Sequence, residues 1–218
     1  MDWLLTDDGW QFYLEGFWMT ARLTAASGVL ALVLGTLVAV ARVAPVPILR
    51  AVGSGYVTLF RNTPLLVLIM LTYYGLPEIG IDFGFFWNIT LAMGVYTAAF
   101  VCEALRSGLN GVHVGQAEAA RAIGMPFTQT MGQVVLPQAF RLTVPPMASA
   151  FIALTKNTSL AAVFGIAEAT FRMRGFLNTY ATEMVQIFMG FALGYIFLVA
   201  LISAVATTLE RRWKVAGR

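Results

Sequence analysis

The stretch from Met184 to Leu209, MVQIFMGFALGYIFLVALISAVATTL, contains no charged residue. A run of that length with nothing to hydrate it belongs in lipid, because a bilayer-crossing helix needs about 20 mostly apolar residues. Four other stretches come at or near that length: about Thr20 to Ala41, Tyr56 to Leu76, Phe85 to Leu105 and Leu142 to Gly165. The second carries Arg61 and Pro64 in its first turns, and the fourth is interrupted by Pro145, Pro146 and Lys156. Only 11% of the 218 residues are charged and 59% are apolar, whereas soluble domains carry about 25% charged residues. The expected fold is therefore an all-α membrane protein, one domain over residues 1–218, with five transmembrane helices.

Several function classes fall away on the same reading. The net charge is +3, but the basic residues are scattered between loops, so no nucleic-acid surface is expected. Cys102 is the only cysteine and His113 the only histidine. No internal disulfide or thiolate metal cluster can be built from them, and neither can a nucleophile with its base. No HExxH, GxSxG or Walker A pattern occurs. Catalysis and metal binding are not expected, and any ATP and Mg must be held by a separate subunit. The first Lys or Arg is Arg22, so residues 1–18, rich in acids, Trp and Phe, read as an interfacial segment rather than a cleaved signal peptide.

Five spans place the termini on opposite sides, and the distribution of Lys and Arg assigns the sides. Ten basic residues share one side: Arg42, Arg50, Arg61, Arg106, Arg121, Arg141, Arg211, Arg212, Lys214 and Arg218. The other has Arg22, Arg172 and Arg174 among many acids. The N-terminus is thus expected outside and the C-terminus in the cytoplasm, which makes the polar loop of about 106–141 cytoplasmic. Within it, QAEAARAI favours a helix that Gly124 can end, and Pro126 stands where a second would begin and run on to a stop at Pro137. Two short helices meeting at a glycine make a compact knob able to enter a groove on another protein. The residues alone fit an ordinary interfacial loop equally well.

EAARAIG followed by VVLPQAFR resembles the EAA loop of permease subunits of ABC importers, in particular the branch that carries polar amino acids. LFRNTPLLV (59–67), YTAAFVCEALRSGL (96–109), VPP (144–146), LTKNTSL (154–160) and LERR (209–212) match the same branch in order. The resemblance implies a type I importer permease in a bacterial cytoplasmic (inner) membrane, whose knob docks on a cytoplasmic ATPase dimer that binds ATP and Mg. Glu118, Ala119, Ala120, Gly124 and Pro126 would form the coupling surface. It also implies a second permease, identical or similar, an extracytoplasmic solute-binding protein and a polar amino acid as cargo, most like the glutamate and aspartate permeases. The alternative is an ATP-independent secondary transporter or channel subunit.

Lys156 is the deepest charge in the spans, and burying a charge there costs about 2.5–3.5 kcal/mol on insertion scales. With Asn157, Thr158 and Ser159 it is the candidate substrate site: a cation beside polar side chains suits a carboxylate, and a helix broken at that point would free backbone groups. The alternative is a lysine snorkelling to the interface. Glu103 and Arg106 are expected to pair locally, and Arg61 to snorkel or contact a phosphate. Arg172, Arg174, Glu168 and Glu183 fall in the last outer loop, either solvated or meeting a partner. Ala31 with Gly35, and Gly190 with Gly194, are small-residue pairs that pack helices within or between subunits.

Overall fold

The computed structural model describes residues 7–213, and every regular element among them is helical. The expected roles of residues 1–6, Lys214 and Arg218 lie outside the described residues. α1 (Asp7–Val43) ends where Pro45 and Pro47 forbid continuation, and Pro47 then opens α2 (Pro47–Asn62). α3 (Leu65–Met70) runs on through a π-helical segment, Leu71–Gly75, to Leu76–Glu78. α4 (Phe85–Asn110) starts at Gly84, with φ +82°, where the Asp82 carboxylate accepts from the Gly84 N–H at 2.8 Å and the Asn88 amide at 3.0 Å. After α5 (Val114–Ala122), the chain rises through Phe127–Gln129 and a π-helical segment, Thr130–Val135, into α6 (Leu136–Asn157), which tightens into a 3-10 turn, Thr158–Phe164. α7 (Ala169–Thr179) and α8 (Met184–Trp213) complete the order.

Four helical runs are long and apolar enough to cross a membrane, and a fifth span exists if α2 and the run Leu65–Glu78 are taken together. That second span differs from the expected single helix: it bends by 101°. Pro64 pushes Thr63 into extended backbone, φ −95° and ψ 131°, so α2 must stop there. The Asn62 amide and Thr63 hydroxyl then cap α2 from its own side, donating to the Thr58 and Leu59 carbonyls at 2.8 Å each. Pro145 and Pro146 do not interrupt the fourth span, and Pro137 does not end the knob. A single helical run of 38 residues, Phe127–Phe164, contains all three prolines. Pro137 sits in the first turn of α6, directly after the π-helical segment, where a missing N–H is cheapest.

α1, α4 and α6 form the heart of the bundle. Leu23, Ile89, Met93 and Leu154 are buried together with Leu65 and Ile69 of α3. Both small-residue pairs are used inside the subunit. Ala31 is buried against Ala98 and Val101, and a side chain on Gly35 would stand 2.6 Å from Val101. In α8, Gly194 packs under Phe17, and the Gly190 carbonyl accepts from Tyr13 at 3.0 Å. With 37 residues, α1 is about 55 Å long, well beyond a hydrocarbon core of about 30 Å. Its surplus lies at the end opposite the knob, where Tyr13 and Phe17 pack with Phe176, Phe191 and Tyr195.

Glu168 and Arg172, expected in a solvated or partner-facing loop, are structural. Glu168 is fully buried, caps the first turn of α7 by accepting from the Phe171 N–H at 2.8 Å, and accepts from the Tyr195 hydroxyl at 2.8 Å. Arg172 pairs with Glu15 at 2.8 Å and lies over the Phe12 ring. Burial pushes the Glu168 carboxyl above its ordinary range, against the opposing pull of hydrogen bonds from Thr170, Tyr195 and Phe171. Because the folded-state pKa exceeds the unfolded one, the protonated form favours folding. Its contribution is complete below the ordinary carboxylate range and is lost as pH rises through the folded-state pKa. Glu168→Gln, which cannot ionise, is expected to melt with wild type at low pH and above it at higher pH. A constant difference across that window, read by thermal melts in detergent, overturns the assignment.

Candidate functional site

Two features stand out from the bundle: a polar groove in its side and a knob at one end. The groove, about 660 Å³, lies between α2, α4 and α6. The break at FRNTP contributes Arg61 at the end of α2. The YTAAF–EALRS stretch of α4 contributes Tyr96, Thr97, Phe100, Glu103 and Ser107, and α6 contributes Pro146, Ser149 and Asn157. Segments almost a hundred residues apart in sequence thus meet along one surface. The Arg61 guanidinium lies 5.5 Å from the centre of the Phe100 ring, which orients it without neutralising it. It makes no direct ion pair among the described residues. The exposed side chain fits snorkelling, and the packing of α2 on α4 adds its place at the groove. Tyr56 fixes this packing by donating to the Val95 carbonyl at 2.7 Å, and Val57 is buried with Ala39, Ala99 and Cys102.

Glu103 also has a role beyond the local pair. Its main partner is Arg42 on α1, with Arg106 at 3.6 Å on the second flank. The carboxylate therefore ties α1 to α4 and brings little free negative charge to the groove. The four residues singled out at the end of α6 divide. Asn157 lines the groove. Lys156 is exposed, three residues after Ala153 and seven after Ser149, at the rim of the same helical stripe. Thr158 is fully buried and its hydroxyl donates to the Thr155 carbonyl at 2.7 Å. Ser159 donates to the Lys156 carbonyl at 2.8 Å. Both hydroxyls are thus spent on the change from α to 3-10 winding, and the helix tightens at this point without breaking.

The knob is α5 with the turn that follows it. His113 caps α5, its Nδ1 accepting from the Gly115 N–H at 3.1 Å, so the lone histidine has a structural task. At the other end Gly124 adopts φ +87°, a conformation that side chains with a Cβ resist. Its N–H bonds the Arg121 carbonyl at 3.0 Å and the Met125 N–H reaches back to Ala120 at 3.1 Å, the paired pattern of a Schellman turn. Pro126 is extended and caps the next turn. Glu118 and Ala119 face outward, whereas Ala120 turns inward and is buried. Besides Val114 (67%) at the start of α5, the turn of the knob exposes two large apolar side chains that sequence reasoning passed over, Ile123 (80%) and Phe127 (76%). Their hydrophobicity was visible, but in a chain so apolar only the solved turn shows that both project from a polar protrusion.

No group of three or more His, Cys, Asp or Glu side chains able to hold a metal occurs among the described residues.

Known proteins are similar to this chain in sequence and fold. The chain is 40% identical over 197 residues to the glutamate transport system permease protein GluC of Corynebacterium efficiens, covering 85% of this chain and 86% of that protein. It is 36% identical over 208 residues to the probable glutamine ABC transporter permease protein GlnM of Bacillus subtilis, covering 94% of each. A crystal structure of an amino acid ABC transporter with histidines superposes with a TM-score of 0.86 at 27% identity, over 97% of this chain and 99% of that one. The model of the family described as the inner membrane component of binding-protein-dependent transport systems matches residues 31–215. With that match over most of its length, the chain belongs to this family of transport permeases.

Proposed function

We propose that this permease is the membrane subunit of an ATP-driven amino acid importer, with the groove between α2, α4 and α6 as its half of the solute path and the knob as the seat of a cytoplasmic ATPase dimer. The observation that carries this reading is the run Phe127–Phe164: the helix that leaves the knob is the one that brings Asn157 to the groove. A push on the knob therefore acts on the lining of the path. Glu118, Ala119, Gly124 and Pro126 shape the docking face, buried Ala120 holds α5 against the rest of the chain, and Ile123 and Phe127 are the anchors of the face. The ATPase dimer binds ATP and Mg. The knob end, with Arg106, Arg121 and Arg141, is cytoplasmic, which puts the N-terminus outside, where a solute-binding protein delivers cargo. A second permease, identical or similar, supplies the other wall of the groove.

Arg61 and exposed Lys156 outweigh Glu103, which Arg42 already neutralises, so the groove favours an anionic cargo such as glutamate or aspartate. Lys156 and Asn157 contact the solute, and Thr158 and Ser159 shape the turn that presents them. Co-reconstitution with its ATPase and binding protein in proteoliposomes is expected to give glutamate uptake that requires ATP and survives collapse of the proton gradient. Uptake driven by the proton gradient without the ATPase establishes a secondary transporter instead. In the same assay Lys156→Ala or Arg61→Ala is expected to lower glutamate uptake roughly tenfold, the loss of about one charge-assisted contact. Wild-type uptake by both variants places the solute elsewhere.

A further inference from the structure

A second cavity opens on the other side of α6, between α1, α6 and α8. It measures about 650 Å³, and Leu32, Met147, Phe151, Leu201 and Val205 are typical of its walls. Its only hydroxyl-bearing lining residues are Thr36 and Thr143, and the Thr143 hydroxyl is spent on the Ala139 carbonyl at 2.9 Å. A cavity so lined does not hold ordered water. It flanks α8, which leaves most of its length exposed, so its opening is toward apolar surroundings. Along α6 the lining runs from Phe140 to Phe151, roughly 16 Å of helix rise. One leaflet's share of the hydrocarbon core is about 15 Å.

The knob-side mouth of the cleft is reached at Phe140 and Leu209, and it is basic. Arg141 follows Phe140 directly, and Arg211 and Arg212 lie two and three residues beyond Leu209, with Glu210 the only acid in these segments. None of the three arginines makes an ion pair or side-chain hydrogen bond among the described residues. An apolar slot one leaflet long, with uncompensated cations at its headgroup end, has the two-part chemistry of a phospholipid with a net negative head. A helix of a second copy would fill the slot but would leave the arginines unanswered.

We propose that the cleft between α1, α6 and α8 binds one anionic phospholipid of the knob-side leaflet, with an acyl chain against Met147, Phe151, Leu201 and Val205 and its phosphate held by Arg141, Arg211 and Arg212. The test uses the full-length chain in nanodiscs, exchanged between phosphatidylglycerol and phosphatidylcholine of identical chains, with bound lipid counted by native mass spectrometry. One phosphatidylglycerol retained per chain, with at least fivefold preference over phosphatidylcholine, is the expected result. Arg211→Ser with Arg212→Ser is expected to erase the preference. Ala148→Phe with Ala206→Phe, which fills the slot, is expected to remove the retained lipid itself. Phosphatidylglycerol carrying a diazirine at mid-chain is expected to label Met147–Phe151 and Leu201–Ala206. Equal retention of the two lipids, or labelling spread over other helices, overturns the proposal. So does an efficient disulfide between chains with Cys introduced at Ala148 and Val205, since it would mean that a second copy occupies the slot.

Discussion

Glu118→Lys or Gly124→Asp is expected to leave the permease folded in the membrane while ATP-driven uptake falls roughly tenfold or more, the scale of losing one or two interface anchors. Gly124 holds φ +87° within a Schellman turn, and an L-residue forced into that conformation costs about 1–2 kcal/mol. The turn can relax only by re-aiming Ile123 and Phe127, the two exposed apolar side chains that flank it. Glu118→Lys leaves the turn intact but reverses the charge on the exposed face of α5. The two variants therefore fail by different routes. ATP hydrolysis by the assembled complex is expected to continue in both, uncoupled from uptake. Ile123→Ala with Phe127→Ala is expected to weaken binding of the ATPase subunit about thirtyfold, equivalent to about 2 kcal/mol. Uptake within twofold of wild type in all three variants would remove the knob from the coupling path.

The second large effect lies in the bundle. A side chain at Gly108 would overlap the Thr143 hydroxyl and stand 2.5 Å from the Ala139 carbonyl, and those two groups are already bonded to each other. Neither can withdraw without opening α6. Gly108→Leu is expected to cost about 3 kcal/mol, the upper end of typical overpacking, lowering the melting temperature by roughly 6–12 °C in detergent. Gly55→Ala, where an added methyl meets nothing within 4 Å, is the matched control and is expected to melt within about a degree or two of wild type. Equal melting of the two would mean that α4 and α6 do not approach each other as described.

These two sites also mark what a sequence reader could and could not see. Gly124 was legible because a helix of Ala, Glu and Arg followed by glycine has one common ending, and the structure has it. The membrane spans were legible because lipid admits few alternatives. The sharp bend before Pro64 was not, because a count of apolar residues gives a span's length and not its direction, which backbone sterics at Thr63 set. Pro145 and Pro146 misled in the opposite direction: the helix runs straight through both, as membrane helices tolerate proline where soluble ones break. Glu103 looked local because Arg106 is its neighbour in the helix. Its stronger partner, Arg42, becomes visible only once α1 lies along α4. The burial of Glu168 and the place of Arg61 in the groove depend in the same way on contacts between distant segments.

In the proposed coupling, the single helical run Phe127–Phe164 acts as a crank. From the knob at Gln129 to Asn157 is 28 residues, roughly 42 Å of rise, so a rocking of only about 10° about the knob would carry Asn157 by about 7 Å. That stroke is comparable with the width of an amino acid side chain. A gate of this kind needs no local rearrangement at the solute itself: the leverage is already stored in the length of the shaft.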